Sequence, residues 1–321
     1  MIKTVGVLTS GGDAPGMNAA IRAVVRTGIA MDLRVMGIYQ GYQGLINGEI
    51  KELTLRSVSD TLQRGGTFLQ SARCKAFMTE KGVKSAIEVA KVFGMDAIVV
   101  IGGDGSFRGA RELSRMGMTV VGIPGTIDND IDCTDYTIGY DTAMNTAMEA
   151  IDKIRDTASS HQRCSIVEVM GRGAGHIALS VSIANGAEAV IVPEKEYSID
   201  EDIVKPIFEC RNRGKNHYII ILAEGVGKAD EIASAIHQKT GIDARVSILG
   251  YIQRGGSPTA RDRIEASRMG AHAVEILAKG CDSRIVALKD GMITDIPIEE
   301  ALQMKKEISK SDLALTKVLS L

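Results

Sequence analysis

Short runs of continuous apolar residues alternate along this chain with longer amphipathic stretches. The runs at Thr4–Thr9, Val35–Tyr39, Ala97–Ile101, Thr119–Ile123, Ser165–Val169, Ala189–Val192 and Tyr218–Ala223 have the length of strands. Between them the spacing predicts helices near Met17–Ala30, Glu80–Phe93, Phe107–Met116, Asp141–Thr157, Gly175–Ala184, Asp200–Asn212 and Ala229–Lys239. Strands that are apolar on both sides, each followed by a helix, indicate parallel sheets covered on both faces. The expected class is therefore α/β, with two doubly wound lobes of largely parallel strands and helices on both faces. Such sheets bind ligands beyond the carboxyl ends of their strands. The glycine clusters of this chain fall at those ends.

Length and composition sharpen this. A chain of 321 residues is too long for one small core. With 45% hydrophobic residues and a net charge of −2, it has ample apolar surface to bury, which excludes disorder. The balance of 38 basic and 40 acidic side chains also argues against a nucleic-acid or membrane binder. No segment reads as a signal peptide or a spanning helix. The five cysteines are odd in number, widely spaced and without a C-x-x-C pair, so neither a disulfide scaffold nor a structural zinc site is expected. Reduced thiols and a cytoplasmic location follow. Glycine is the anomaly, at 35 residues against 6 prolines.

The glycine turns carry the candidate chemistry. Thr9–Asn18 reads T-S-G-G-D-A-P-G-M-N between a strand and a helix, where exposed amides and a helix amino end can hold an anion. Ile101–Ser106 reads I-G-G-D-G-S in the same setting. A carboxylate among glycine amides suits magnesium beside phosphates, although an aspartate there can also simply cap the helix. Pro124–Asp130, P-G-T-I-D-N-D, places two carboxylates two residues apart, one of which could orient and deprotonate a hydroxyl. Met170–Arg172 and Gln253–Pro258 set arginines in glycine turns, as bidentate phosphate recognition requires. The P-loop and dinucleotide fingerprints are absent.

Together with D-T-A-S-S-H-Q-R at Asp156–Arg163, these motifs resemble the ATP-dependent 6-phosphofructokinase family of bacterial type across essentially the whole chain. The resemblance implies transfer of the γ-phosphoryl of MgATP to the 1-hydroxyl of fructose 6-phosphate, the committing step of glycolysis. It implies a larger ATP-binding lobe at residues 1–139 plus about 254–304. The smaller, sugar-phosphate lobe would take 140–253 plus about 305–321. Gly12, Arg73, Cys74, Gly103, Asp104, Gly105 and Ser106 would bind ATP, with Asp104 on Mg²⁺. Asp128 would be the base, with Thr126, Asp130 and Arg172 as further catalytic residues, and Thr126, Ile127 and Asp128 would also bind the sugar substrate. Met170, Gly171, Arg172, Glu224, Tyr251 and Arg254 would hold the sugar phosphate, and Arg163 and Arg245 would reach into a neighbouring subunit's site of a homotetramer.

The resemblance also implies an allosteric nucleotide site. Arg22 and Arg26 share a helix face four residues apart and repel each other unless an anion lies between them. Arg155, Gly186, Glu188, Arg213, Lys215 and His217 would complete it, with activation by ADP and inhibition by phosphoenolpyruvate. Three positions depart from the family pattern. Tyr251 replaces a histidine and can donate a hydrogen bond but carries no charge. His176 replaces an acid, and Met78 a basic residue. The alternatives are a pyrophosphate-dependent enzyme, another G-G-D-G kinase such as the lipid and NAD kinases, and a non-catalytic nucleotide or sugar-phosphate sensor. Small residues at Gly105 and Gly125 favour ATP, because pyrophosphate users carry an acid and a lysine there.

Overall fold

The computed structural model describes residues 2–320. In chain order the elements are β1 Thr4–Ser10, α1 Met17–Ala30, β2 Arg34–Ile38, α2 Gly41–Asn47, β3 Ile50–Leu53, α3 Glu80–Val92, β4 Ala97–Gly102, α4 Asp104–Arg115 and β5 Thr119–Pro124. Then come α5 Tyr140–His161, β6 Cys164–Val169, α6 His176–Asn185, β7 Ala189–Ile191, α7 Lys205–Asn212, β8 Tyr218–Ala223, α8 Ala229–Thr240 and β9 Ala244–Ile248. The last are α9 Ala260–Ala278, β10 Arg284–Lys289, β11 Met292–Pro297, α10 Ile298–Ala301 and α11 Lys310–Leu319. The expected helix over Asp200–Asn212 divides: a π-helical turn at Asp200–Val204 runs into α7, with Pro206 near the junction.

The chain forms two compact units. One comprises the chain through Ile127, Ile131–Thr142 and Arg254–Lys306; the other takes Asp128–Asp130, Ala143–Gln253 and the residues from Glu307 onward. The first unit holds a seven-stranded sheet in the order β11-β10-β5-β4-β1-β2-β3. Its five inner strands are parallel, and the edge strands β3 and β11 run antiparallel. The β10–β11 hairpin turns on Asp290-Gly291, both at positive φ (50° and 78°), the tight turn that aspartate and glycine favour. The second unit holds a parallel sheet in the order β7-β8-β6-β9.

Both sheets are sealed by apolar side chains from strand and helix alike. In the first unit, Leu8, Ile98, Val100 and Val120 pack with Phe107 and Leu113 of α4. In the second, Ile166, Ile220 and Leu222 pack with Ile207 of α7 and Ile232 and Ile236 of α8. The sites depend on what this leaves at the strand ends. Ser10 pairs with Gly102, and Gly102 with Pro124, so β1, β4 and β5 finish level with one another. The strand order reverses between β1 and β4, the crevice where open α/β sheets receive ligands.

Candidate active site

Level strand ends bring three glycine turns side by side in the first unit. Gly125 N donates to Gly102 O (3.0 Å), tying the turn after β5 to the turn after β4. Ser71 Oγ donates to Gly11 O (2.7 Å), and Thr9 Oγ1 donates to Gln70 O (2.8 Å), which ties the 64–75 segment to the turn after β1. That segment carries Arg73, exposed at the turn's flank, and Cys74, half-buried against the core. Buried Asn18 organises it further. Its Nδ2 donates to Arg64 O and Gly65 O, and its Oδ1 accepts from Phe68 N (2.9 Å). A cavity of about 480 Å³ opens here between Gly11, Gly12 and Asp13 on one side and Arg64, Gly66 and Ser71 on the other.

Asp104 opens α4, its carboxylate 2.8 Å from Arg108 Nε and 39% exposed. The N-cap of that helix is Gly103, which adds no side chain, so Asp104 does not cap the helix as the sequence also allowed, and no side chain caps the amides of the turn. Gly105 is exposed, while Ser106 is buried and its carbonyl accepts from Tyr42 Oη (2.6 Å). Gly12 has a specific reason to be glycine: a Cβ there would stand 1.7 Å from Arg254 Nη1. Arg254, expected on the sugar phosphate, thus lies over the turn after β1. Among the described residues no group of three or more His, Cys, Asp or Glu is placed to hold a metal ion.

After β5 the chain passes through half-buried Thr126 and buried Ile127, Asp128 and Asn129 to Asp130. Asn129 adopts positive φ (53°), bending the backbone just beyond the expected base.

The second unit arranges its expected residues in the same way. Val169 pairs with Ala223, so the turns after β6 and β8 also end level. Glu224 Oε1 accepts from Arg172 N (2.6 Å) and Gly171 N (3.3 Å), fixing the Met170–Arg172 turn. Met170 N in turn donates to Gln253 Oε1 (2.8 Å). Arg172 sits at φ 58°, exposed. Burial, then Glu224 and Asp230, push the Glu168 carboxyl upward at the end of β6. Arg163 and Arg245 converge on one carboxylate: Asp243 Oδ2 lies 2.9 Å from Arg163 Nε and 3.0 Å from Arg245 Nη2. Tyr251 projects outward, 82% exposed.

A second cluster gathers most of the expected effector residues. Buried Glu188 accepts from Lys215 Nζ and from Ile219 N, and Arg155 Nη2 donates to Asn185 O, beside Gly186. His217 feels the Glu188 charge, and Arg213 and Glu188 both act on the Cys210 thiol. Arg22 and Arg26 belong to α1 of the other unit. Burial first, and Lys215 next, hold the His217 imidazole below its ordinary pKa, against the pull of Glu188. His217 accordingly titrates below 6.5 in an NMR pH series, and Lys215→Gln moves that midpoint upward. A midpoint unmoved by the substitution would remove Lys215 as a cause.

Several contributors are invisible to motif reading. Asn18 stands inside a recognised motif, but its hold on residues 64–68 depends on long-range packing. Arg64 and Asp243 carry no local signal beyond their charge.

Glycine turns at a switch point, one acid at a helix start and arginine turns at the ends of a second parallel sheet define a phosphoryl-transfer α/β protein. The family model described as phosphofructokinase matches residues 4–277. The chain belongs to the phosphofructokinase family. ATP-dependent 6-phosphofructokinases of Clostridium botulinum strain Hall and Clostridium novyi are 56% and 57% identical to it over 319 residues, 99% of this chain and all of each relative. Among solved structures, phosphofructokinase from Saccharomyces cerevisiae superposes with a TM-score of 0.89 at 35% identity, over 94% of this chain and 45% of that one. The T-state enzyme of Pichia pastoris gives 0.90 at 37%, over 94% and 38%. This chain therefore spans less than half the length of either yeast chain.

Proposed function

We propose that this protein transfers the γ-phosphoryl of ATP to the 1-hydroxyl of fructose 6-phosphate, giving fructose 1,6-bisphosphate and ADP. The observation that carries this reading is the alignment of three glycine turns at the reversal of strand order, with Asp104 at the amino end of α4. Full-length identity of 56% to ATP-dependent relatives supports it.

The residues divide the work as follows. Turns at Gly12 and Gly103–Ser106 cradle the phosphates of ATP, with Arg73 and Cys74 along the nucleotide. Asp104 would hold the magnesium of MgATP, which neutralises phosphate charge when bound. Asp128 takes the proton of the sugar 1-hydroxyl as its oxygen attacks the γ-phosphorus and ADP leaves. Thr126, Asp130 and Arg172 orient the reacting groups. Met170, Gly171, Arg172, Glu224, Tyr251 and Arg254 hold the sugar phosphate. Arg163 and Arg245, now paired with Asp243, serve the site of a neighbouring subunit in a homotetramer. The Glu188 cluster, with Arg22 and Arg26, binds ADP as activator and phosphoenolpyruvate as inhibitor. No described helix is long and apolar enough to cross a membrane; a cytoplasmic enzyme is the reading that fits glycolysis.

The test is a steady-state assay of fructose 6-phosphate with ATP against pyrophosphate, with and without ADP. Turnover with ATP, cooperativity in the sugar phosphate and relief by ADP are expected. Turnover with pyrophosphate alone reverses the donor assignment. No product with either donor returns the sensor reading.

A further inference from the structure

Asp262 is a carboxylate with no solvent exposure, in the first turn of α9, and nothing in the reaction described above uses it. Its Oδ1 accepts from Tyr136 Oη and from Gly139 N (2.7 Å). Its Oδ2 accepts from Thr142 N (2.9 Å) and Thr142 Oγ1. Thr142 Oγ1 also accepts from Thr259 N (3.0 Å), and Thr259 Oγ1 accepts from Asp262 N (3.3 Å), which closes a ring of contacts on the amino end of α9. One side chain thus gathers donors from three positions of the 136–142 segment. Arg261 lies over the Tyr136 ring at 4.4 Å and fixes it from the other side.

The segment so held is the one that supports the turn after β5. Thr137 Oγ1 donates to Thr126 O (2.6 Å), Ile138 N donates to Pro124 O (2.9 Å), and Gly125 pairs with Ile138 as an isolated parallel bridge. It also backs the turn after β1. A Cβ on Gly16 would stand 2.6 Å from Ile138 and 3.5 Å from Asp262, and one on Gly139 2.6 Å from Ala14. Segment, helix start and both turns are packed at the closest spacing that glycine permits.

We propose that Asp262 is a positioning residue for the phosphoryl-transfer reaction. It touches no substrate. It fixes Tyr136, Gly139 and Thr142, and the residues between them fix the Pro124–Thr126 turn that leads into Asp128. A carboxylate suits this role because the four hydrogen bonds it receives here all come from donors. Asparagine keeps the shape but turns an NH₂ group toward two of those donors, in either orientation, so the segment must shift. Displacement of a reacting group by a fraction of an ångström costs turnover far more than ground-state binding. This inference rests on the proposed reaction for its kinetic readout but not for its structural one.

The experiment compares Asp262→Asn, Thr142→Val and Thr142→Ser with the unaltered chain, at a temperature where circular dichroism shows each folded. Asp262→Asn lowers kcat at least tenfold while both KM values stay within threefold. Thr142→Val follows it in part, and Thr142→Ser, which keeps the hydroxyl, retains at least half of the wild-type kcat. Hydrogen exchange at the amides of Gly125, Ile138 and Gly139 rises in Asp262→Asn whatever the activity. A folded Asp262→Asn with kcat within twofold, or with unchanged exchange at those amides, overturns the assignment. If Asp262→Asn does not fold, equal kcat for the two Thr142 variants overturns it instead. A wild-type chain without kinase activity sinks the proposed reaction; the exchange measurement then still decides whether Asp262 holds the segment.

Discussion

Replacing Asp128 with serine is expected to lower kcat by about two to four orders of magnitude, the usual contribution of a positioned general base. Binding of fructose 6-phosphate, measured by calorimetry without nucleotide, should stay close to wild type. The separation follows from where the residue sits. Asp128 is buried, with only 6% of its surface exposed, shortly after the strand whose register aligns the glycine turns. Asn129, the next residue, adopts positive φ (53°), so the backbone bends directly after Asp128. Serine fits the space and preserves a polar group, but it cannot hold a proton taken from an alcohol at neutral pH. The proposed contacts to the sugar phosphate group come from other turns, at Met170–Arg172, Glu224 and Arg254, which the substitution does not alter. An Asp128→Ser enzyme with near-normal kcat removes the base from Asp128 and leaves Asp130 as the acid to examine.

The parts of this protein that were legible in sequence are those whose physics is local. A buried parallel strand must be largely apolar on both faces; β4 (A-I-V-V-I-G) and β8 (Y-I-I-I-L-A) show it as unbroken runs, and β1, β5 and β6 as apolar runs with a few polar positions such as Ser165 and Glu168. A phosphate turn must combine glycine with a following helix, and the motifs at Thr9–Asn18 and Ile101–Ser106 do so. Elements at the margins follow other rules. β9 reads A-R-V-S-I and is half-exposed along its length, because an edge strand needs no continuous apolar run. The β10–β11 hairpin was signalled by Asp290-Gly291, a cue obscured by the short, mixed strands on either side. α9, at 19 residues, carries four arginine, aspartate or glutamate side chains in its first six positions and is not among the expected helices; its buried face packs against α1.

The site divides in the same way. Which residues bear charge could be read from their types; which charges meet could not. Arg163 and Arg245 lie eighty-two positions apart and share Asp243 only because β6 and β9 are neighbours. Glu188 is assigned to an effector site only by resemblance, and nothing in its sequence neighbours shows that it is buried against Lys215 and the Ile219 amide. Asp262 sits in an unremarkable R-D-R, and its partners at Tyr136, Gly139 and Thr142 are over a hundred residues away. Pairing of this kind is set by topology, which a pattern of residue types does not encode.

Donor choice tests that division, because it rests on a position legible in both ways. Gly105 follows Asp104 in the first turn of α4, and a Cβ built on it meets nothing within 4 Å. Aspartate at this position is therefore sterically free, and a carboxylate in the first turn of a helix is favourable to the fold. Its effect falls on the nucleotide. A second negative charge about 4 Å from an ATP phosphate, at an effective dielectric of about 20, costs about 4 kcal/mol. Solvent screening at the exposed turn reduces this, so Gly105→Asp should lower kcat/KM for ATP by about 100- to 1,000-fold with the melting temperature within a few degrees of wild type. Gly125 offers no cation to offset the new charge, and its own surroundings are closed: a Cβ there lies 3.1 Å from Ile101 and 3.3 Å from Met17. Pyrophosphate should therefore not become a good donor in the single variant. ATP turnover that survives the aspartate intact would mean that the nucleotide's inner phosphate lies away from the start of α4, and the phosphate cradle would have to be sought at the cavity beside Gly12 and Arg64.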